Sequence, residues 1–196
     1  MMMQESDRVL AFWFGAPTDP DHGQPRKFWF DKSDAFDADL RERFEPLVQA
    51  ALQGDLDDWA ANRDQAGPPL AFILLLDQFT RNIYRGTDRM FAGDPQALAC
   101  AQAMVGTGQD LDLLPVQRQF CYLPFEHAED IDLQAQSIRL FDQLRGFQET
   151  ADLHEWARRH QVIIERFGRF PHRNAMLGRT STVEELAFLD QPGSSF

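Results

Sequence analysis

The sequence predicts an all-α protein that folds as one domain over residues 1–196. Apolar side chains recur at a spacing near 3.6 residues in nearly every segment, which is typical of helices with one buried face. No run shows the strict apolar and polar alternation of a strand between turn residues. The composition, with 43% apolar and 26% charged residues, suits one sizeable core. Consecutive helices with short connections are expected to pack as antiparallel hairpins.

The first strong helix is expected to start after Ser33, whose hydroxyl can cap it. Its apolar face, at spacings of three and four residues, is formed by Phe36, Leu40, Phe44, Leu47 and Ala51. Pro46 lies inside this segment and predicts a kink or a break, because proline has no N–H for the helical hydrogen bond.

The next helix begins after Pro68 and Pro69 with LAFILLLDQFTRNIYR. Its first half is apolar all round, which predicts a central and buried position, and Gly86 is expected to end it. The later helices are expected at residues 94–106, 115–124, 131–144, 152–167 and 181–189. The apolar stripe of the 152–167 helix includes Trp156 and His160, and a capping box of Ser181 and Glu184 is expected to open the last helix.

Composition and charge exclude several classes of protein. The net charge of −12 and the pI near 4.7 have the wrong sign for a general nucleic-acid binder. The longest apolar run, 70–76, is too short to cross a membrane. The N-terminus has no signal-peptide pattern, so a cytoplasmic location is expected. Cys100 and Cys121 lie far apart in apolar surroundings, which indicates reduced core thiols.

No nucleophile elbow, phosphate-binding glycine loop or dinucleotide motif occurs in the chain, so no cofactor is expected. The two His of a metal-binding helix motif are also missing, and no metal is expected. The chain contains 17 Phe, 4 Trp and 2 Tyr. These aromatic residues are expected to anchor the core, and they leave room for an exposed patch and a homo-oligomer.

Three polar groups are candidates for a site. The first follows the apolar half-helix, where helical geometry places its members on one face: Asp77, Gln78, Arg81, Asn82 and Arg85. The alternative is an ordinary Asp–Arg helix pair. In the second group, three carboxylates surround an imidazole in Glu126, His127, Glu129 and Asp130. Those carboxylates are expected to raise the pKa of His127, and solvated charges beside a helix start are the alternative.

The third group is a basic cluster in an acidic chain. Residues 154–179 hold six Arg against two Glu, which indicates either internal ion pairs or an anion-binding recess. The candidate ligands in this cluster are His160, Arg169, His172, Arg173, Asn174 and Arg179. His160 stands in an apolar stripe, where a hydrogen-bonded core histidine is the alternative.

Several strings of the chain resemble one bacterial family, called domain of unknown function 924. The resemblance is carried by LLLDQF with RNIYRG, by LPFEH and by RFGRFPHRN with LGR, and it runs from Val9 to Phe196. It implies an all-α fold similar to tetratricopeptide-like helical arrays. It implies no activity, cofactor or catalytic residue.

The residues leave three functions open. The first is a binding module for a small anionic ligand, a carboxylate or phosphate, or for a peptide, held by the three polar groups. The second is a hydrolase in which His172 or His160 is the general base and Glu126 or Asp77 orients it; a metal held by His127, His160 and His172 is its minor version. The third is a structural polar network in a protein-interaction scaffold.

Overall fold

The computed structural model describes residues 3–194, and that part of the chain is helical without a β-strand. The all-α prediction is confirmed. Residues 1, 2, 195 and 196 belong to the predicted domain, and the last two also belong to the span of the resemblance; all four lie outside the described residues. The α-helices are α1 (Glu5–Phe14), α2 (Asp34–Gln53), α3 (Asp57–Ala61), α4 (Gly67–Ile73), α5 (Thr80–Ile83), α6 (Asp94–Thr107), α7 (Pro115–Glu126), α8 (Ile131–Asp142), α9 (Leu153–Phe167) and α10 (Val183–Leu189).

Helix α2 begins where it was predicted to begin. The Ser33 hydroxyl accepts a hydrogen bond from the Phe36 N–H at 3.3 Å. The helix continues unbroken past Pro46, so the predicted break is wrong. Pro46 and Glu42, whose carbonyl loses its helical donor, are both exposed, and water can therefore satisfy that carbonyl.

A central helix is formed by α4, a π-helical segment (Leu74–Phe79) and α5, which follow one another without a gap. Every residue from 68 to 80 is buried, as the apolar run predicts. The π-helical turns were not predicted. They are wider than α-helical turns and change which side chains face one another beyond Leu74.

Helix α6 packs against α7, α7 against α8, and α8 against α9. The tetratricopeptide-like arrangement stays a prediction with which this order is compatible. Helix α6 ends at Gly108, whose φ of 77° is left-handed, and such a conformation suits glycine. Helix α7 extends to Glu126, two residues beyond the predicted end at Pro124.

Two details near the C-terminus differ from the sequence prediction. Trp156 is 46% exposed, whereas Ala157, His160 and Ile164 of the same predicted stripe are buried. The capping box of α10 lies one residue later than predicted. Thr182 accepts from the Glu185 N–H, and the Glu185 side chain accepts from the Thr182 N–H.

The main core lies around the central helix, and its aromatic residues come from distant parts of the chain. The indole ring of Trp13 lies 6.4 Å from that of Trp29, and Phe120 lies 4.9 Å from Trp29. Among the described residues, the aromatic side chains that are exposed rather than anchored in the core are Phe30, Phe147 and Trp156, at 62%, 41% and 46%. Cys100 and Cys121 are buried free thiols, as expected. Among residues 3–194, no helix is long and apolar enough to cross a membrane.

Candidate functional site

The π-helical segment brings Asp77 under the end of α7, where it meets His127. The Nδ1 atom of His127 lies 2.7 Å from Asp77 Oδ1, and Asp77 is 1% exposed. Gln78 Nε2 donates to the other carboxylate oxygen at 2.7 Å. Burial alone would raise the pKa of Asp77, but Arg81 and His127 lower it below its usual value. Asp77 is therefore ionised at neutral pH, and His127 donates its Nδ1 proton to it.

The prediction that carboxylates raise the pKa of His127 is wrong. Burial lowers this pKa, Arg81 lowers it further, and Asp77 opposes both only in part. The carboxylate that contacts the ring is that of Asp77 on the central helix, and Arg81 forms an ion pair with the same carboxylate. At neutral pH His127 is uncharged, its Nδ1–H is directed to Asp77, and its Nε2 can accept a proton.

Arg81 links the central helix to the start of α6. Its guanidinium donates to both carboxylate oxygens of Asp94, at 2.8 and 3.1 Å, and its Nη1 lies 3.3 Å from Asp77 Oδ1. Asp94 was predicted only as the start of a helix. Gly93 allows the start of α6 to lie this close to the central helix, because a Cβ at that position would lie 2.4 Å from the Leu76 carbonyl oxygen.

Arg173 is a buried cation with few acceptors. It is 7% exposed, its Nη1 lies 3.5 Å from Asp94 Oδ2, and its Nε has no hydrogen-bond partner among residues 3–194. The guanidinium packs between the rings of Phe91 and Phe170, at 4.8 and 4.6 Å from their centroids. Burial lowers the pKa of Arg173 to about 10, with a contribution from Arg81, so Arg173 is charged at neutral pH.

Glu126 and His160 form a second buried pair beside the first. The Nδ1 atom of His160 lies 2.9 Å from the Trp156 carbonyl oxygen and 3.3 Å from Glu126 Oε1. Burial raises the pKa of Glu126 to about 8, with a smaller contribution from Asp77. Burial also lowers the pKa of His160 to about 3. Both side chains are therefore mainly uncharged at neutral pH.

The first predicted polar group is divided between two faces of the central helix. Asp77, Gln78 and Arg81 face α6 and α7, whereas Asn82 and Arg85 face α2. There Asn82 Nδ2 donates to Asp37 Oδ1 at 2.8 Å, and Arg85 donates to both carboxylate oxygens of Asp37 at 2.7 and 3.1 Å. We call this set, Asp37 with Asn82 and Arg85, the Asp37 cluster. Asp37 was missed because its position on α2 predicts a solvated first turn.

The Arg-rich C-terminal cluster consists mostly of internal ion pairs. Arg169 pairs with both oxygens of Glu185 at 2.7 and 2.9 Å. Arg179 pairs with Glu129, and its Nε donates to Asn174 Oδ1 at 2.9 Å. Burial alone would raise the pKa of Glu129, but Arg179 and the Phe170 N–H lower it. Three further contacts complete this network: Asn174 to Ser181, Asn174 to Glu185, and Glu129 to the Phe170 N–H.

The remaining predicted residue, His172, lies in the 3₁₀ turn Pro171–Arg173. Burial lowers the pKa of His172 to about 4, and the charge of Arg173 contributes. The ring centroid of His172 lies 5.7 Å from that of Phe170, the residue before this turn. Asp77 contacts His127, and Glu126 contacts His160.

An open cleft of about 340 Å³ lies over His127 and Arg173, between the start of α6, the end of α7 and the start of α8. Its lining residues are Asp94, Pro95, Leu98, Pro124, His127, Ala128, Glu129, Asp130, Leu133 and Arg173. The described residues give His127 Nε2 no hydrogen bond. We call Asp77, Arg81, Asp94, His127 and Arg173 the Asp77 cluster. No three His, Cys, Asp or Glu side chains within residues 3–194 are arranged to hold a metal ion.

Known proteins place the chain in a family. A family model described as a bacterial protein of unknown function (DUF924) matches residues 9–193. A solved structure of a protein of unknown function from Agrobacterium tumefaciens is 40% identical, with a TM-score of 0.80, and the match covers 94% of this chain and 96% of that one. No curated protein matches the chain. These two matches confirm the resemblance, and the chain belongs to the DUF924 family of bacterial proteins of unknown function.

Proposed function

We propose that the protein binds a small anionic ligand in the cleft over the Asp77 cluster. The observation that carries this proposal is the incomplete pairing of Arg173. A guanidinium has five N–H donors, and the one acceptor of Arg173 within the described residues lies 3.5 Å away. A buried charge without a close partner is costly, so an anion that supplies acceptors there gains both charge attraction and hydrogen bonds.

The carboxylates that line the cleft do not fill this role. Asp94 gives both oxygens to Arg81, and Glu129 gives both to Arg179. Asp130 caps α8 by accepting from two backbone N–H groups. Each lining carboxylate is therefore engaged elsewhere, and Arg173 is the lining cation that can take a further partner.

The binding role narrows the predicted ligand set. His127 and Arg173 line the cleft, whereas Asp77, Gln78 and Arg81 position or balance them from behind. Asn82 and Arg85 belong to the Asp37 cluster, and Arg169, Asn174 and Arg179 belong to the C-terminal network. We assign these last five residues a structural role.

Anion titrations test the proposal. Sulfate, inorganic phosphate, acetate and hexanoate are titrated into the wild-type protein and into Arg173→Met, with binding measured by calorimetry and by the shift in Tm. We expect at least one anion to raise the Tm of the wild type and not that of Arg173→Met, since a ligand stabilises the folded state that binds it. Arg145→Met is the matched control, because Arg145 is 62% exposed at the surface. Equal binding to wild type and Arg173→Met, or no binding at all, contradicts the proposal.

A second candidate function, hydrolysis, is favoured by the Asp77–His127 hydrogen bond. A carboxylate that holds Nδ1–H leaves Nε2 as a general base, so the base is His127 rather than the predicted His172 or His160. The test is hydrolysis of p-nitrophenyl butyrate by wild type and His127→Gln. General-base catalysis requires a loss of about 10²-fold or more in kcat/KM in the variant, and equal rates exclude it.

A further inference from the structure

The cleft is lined by two kinds of side chain, and that mixture limits the chemistry of the ligand. The polar lining residues are His127 and Arg173 with the carboxylates Asp94, Glu129 and Asp130. The apolar lining residues are Pro95, Leu98, Pro124, Ala128 and Leu133. A ligand that contacts both sets needs one charged head and an apolar tail. A volume of about 340 Å³ is at the small end for ligand pockets, so the tail must be short.

The charge of the cleft limits the head to one negative charge. Arg173 is the lining cation with an unfilled donor set, while Asp94, Glu129 and Asp130 repel a second negative charge at close range. A phosphate dianion needs more donors than the lining of the cleft supplies. A planar carboxylate needs two, and a guanidinium edge offers two in matching geometry.

Hydrogen bonding at His127 then requires a proton. Its Nδ1–H is committed to Asp77 at 2.7 Å, so in the neutral ring Nε2 is an acceptor and faces a carboxylate unfavourably. The ring becomes a donor at Nε2 only as imidazolium. The charged or titratable groups around His127 come from the central helix, α6, α7 and its following loop, α9 and the 3₁₀ turn: Asp77, Arg81, Asp94, Glu126, Glu129, Asp130, His160, His172 and Arg173.

Resting on the proposed function, we propose that the ligand is a short-chain monocarboxylate with an apolar tail, and that each bound carboxylate brings one proton from solvent to His127 Nε2. In the empty cleft Arg81 and burial keep His127 neutral. The carboxylate adds one negative charge beside the ring, and the proton compensates it. The net charge of the cleft is then unchanged by binding.

The chain-length part of the inference is tested with acetate, butyrate and hexanoate at pH 7. Burying one methylene contributes about 0.8 kcal/mol, which converts to a gain in affinity of roughly fourfold for each added CH₂. We expect this gain up to hexanoate. Equal affinities for acetate and hexanoate overturn the inference that the ligand has an apolar tail. If phosphate binds through Arg173 while hexanoate does not, this inference fails and the proposed function stands; if no anion binds, both fail.

The proton part is tested by titrating hexanoate in two buffers of different ionisation enthalpy. Uptake of about one proton per hexanoate is expected above the pKa of the free ring, together with an affinity that falls about tenfold for each pH unit. His127→Gln should bind hexanoate with no uptake, while Glu126→Gln should retain it, which assigns the proton to the right residue. His22→Gln is the control for a histidine outside the cleft. Absence of uptake in the wild type, or uptake that persists in His127→Gln, overturns the inference.

Discussion

Two buried Asp–Arg clusters share the central helix, and they differ in how fully their charges are paired. In the Asp37 cluster, the carboxylate accepts from Asn82 and twice from Arg85, all within 3.1 Å. In the Asp77 cluster, the one acceptor of Arg173 among the described residues lies 3.5 Å away, and both His127 and Arg173 line a cleft. The same residue types thus form a fully paired contact between helices in the Asp37 cluster and an incompletely paired site beside a cleft in the Asp77 cluster. The completeness of hydrogen bonding, rather than the residue types, distinguishes the structural cluster from the candidate binding site.

Removing the central carboxylate of each cluster should have the largest effect. Asp77→Ala leaves Arg81 short of a partner and His127 without its acceptor, and we expect the free energy of unfolding to fall by about 3–5 kcal/mol in urea titrations. Asp37→Ala should cost less, about 1–2 kcal/mol, because Arg85 is partly exposed and stays hydrated. Only Asp77→Ala should also abolish anion binding. Equal loss of anion binding in both variants would remove the distinction between the clusters.

Gly93→Ala should break the Asp77 cluster without removing any of its members. The added Cβ would lie 2.4 Å from the Leu76 carbonyl oxygen and 2.8 Å from its Cβ, so α6 must move away and carry Asp94 from Arg81. Overpacking of this kind costs about 1–3 kcal/mol, and anion affinity should fall with it. Gly106→Ala is the matched control on the same helix, because its Cβ meets nothing within 4 Å. It should stabilise the protein by roughly 0.5–1 kcal/mol.

The free energy of unfolding should depend on pH mainly through Glu126, which lies beside the Asp77 cluster. Burial raises the pKa of Glu126 from 4.5 to about 8, so the folded protein holds this proton more tightly than the unfolded chain does. That stability is lost as the pH rises towards 8. Thermal or urea unfolding should show a fall of about 2 kcal/mol between pH 6.5 and 8, at about 1.4 kcal/mol per pH unit. Glu126→Gln should show no such fall.

Below pH 6.5 the buried histidines have the opposite effect. Burial lowers the pKa of His160 to about 3 and of His172 to about 4. The unfolded chain therefore binds protons that the folded protein does not, and stability falls as the pH drops. A stability maximum near pH 6.5 is expected, and a wild-type profile that is flat from pH 6.5 to 8 would contradict the assignment of Glu126.

Arg173→Met should change stability least. The buried guanidinium has little pairing to lose and a cost of burial to recover, so we expect the free energy of unfolding to change by less than about 1 kcal/mol or to rise slightly. Anion binding should be lost. Arg85→Met, made in the Asp37 cluster, should instead lower stability and leave anion binding unchanged. A clear destabilisation by Arg173→Met would show that Arg173 is a structural residue.

Much of the fold could be predicted from local patterns. The Ser33 cap and the buried central helix are predicted from residues that act on their own neighbours in the chain. Errors occurred where a distant surface decided the outcome. The break at Pro46 is absent because that side of α2 faces solvent, and Trp156 is 46% exposed although Ala157, His160 and Ile164 on the same helix are buried.

The sequence could predict which residues belong to the candidate site, but it could not predict which of them contact one another. The sequence indicated that Asp77, His127 and Arg173 belong to polar groups, but their contacts span 50 to 79 residues of chain, and no local pattern reports such distances. Asp94 was missed because an Asp before proline already has a sufficient explanation as a helix start. The sign of the pKa shift of His127 depended on Arg81 and burial, which only the packed arrangement brings together.

The π-helical segment Leu74–Phe79 gives the site an unusual genetic dependence. A π-helical turn holds more residues than an α-helical turn, so deletion of one codon within this apolar run can return the helix to α-helical geometry while its surroundings remain apolar. Such a deletion rotates Asp77 relative to His127 but keeps a buried helix in place. Loss of the site and retention of the fold are therefore separated by a single deletion, and duplicated copies of this sequence can diverge in function along that route.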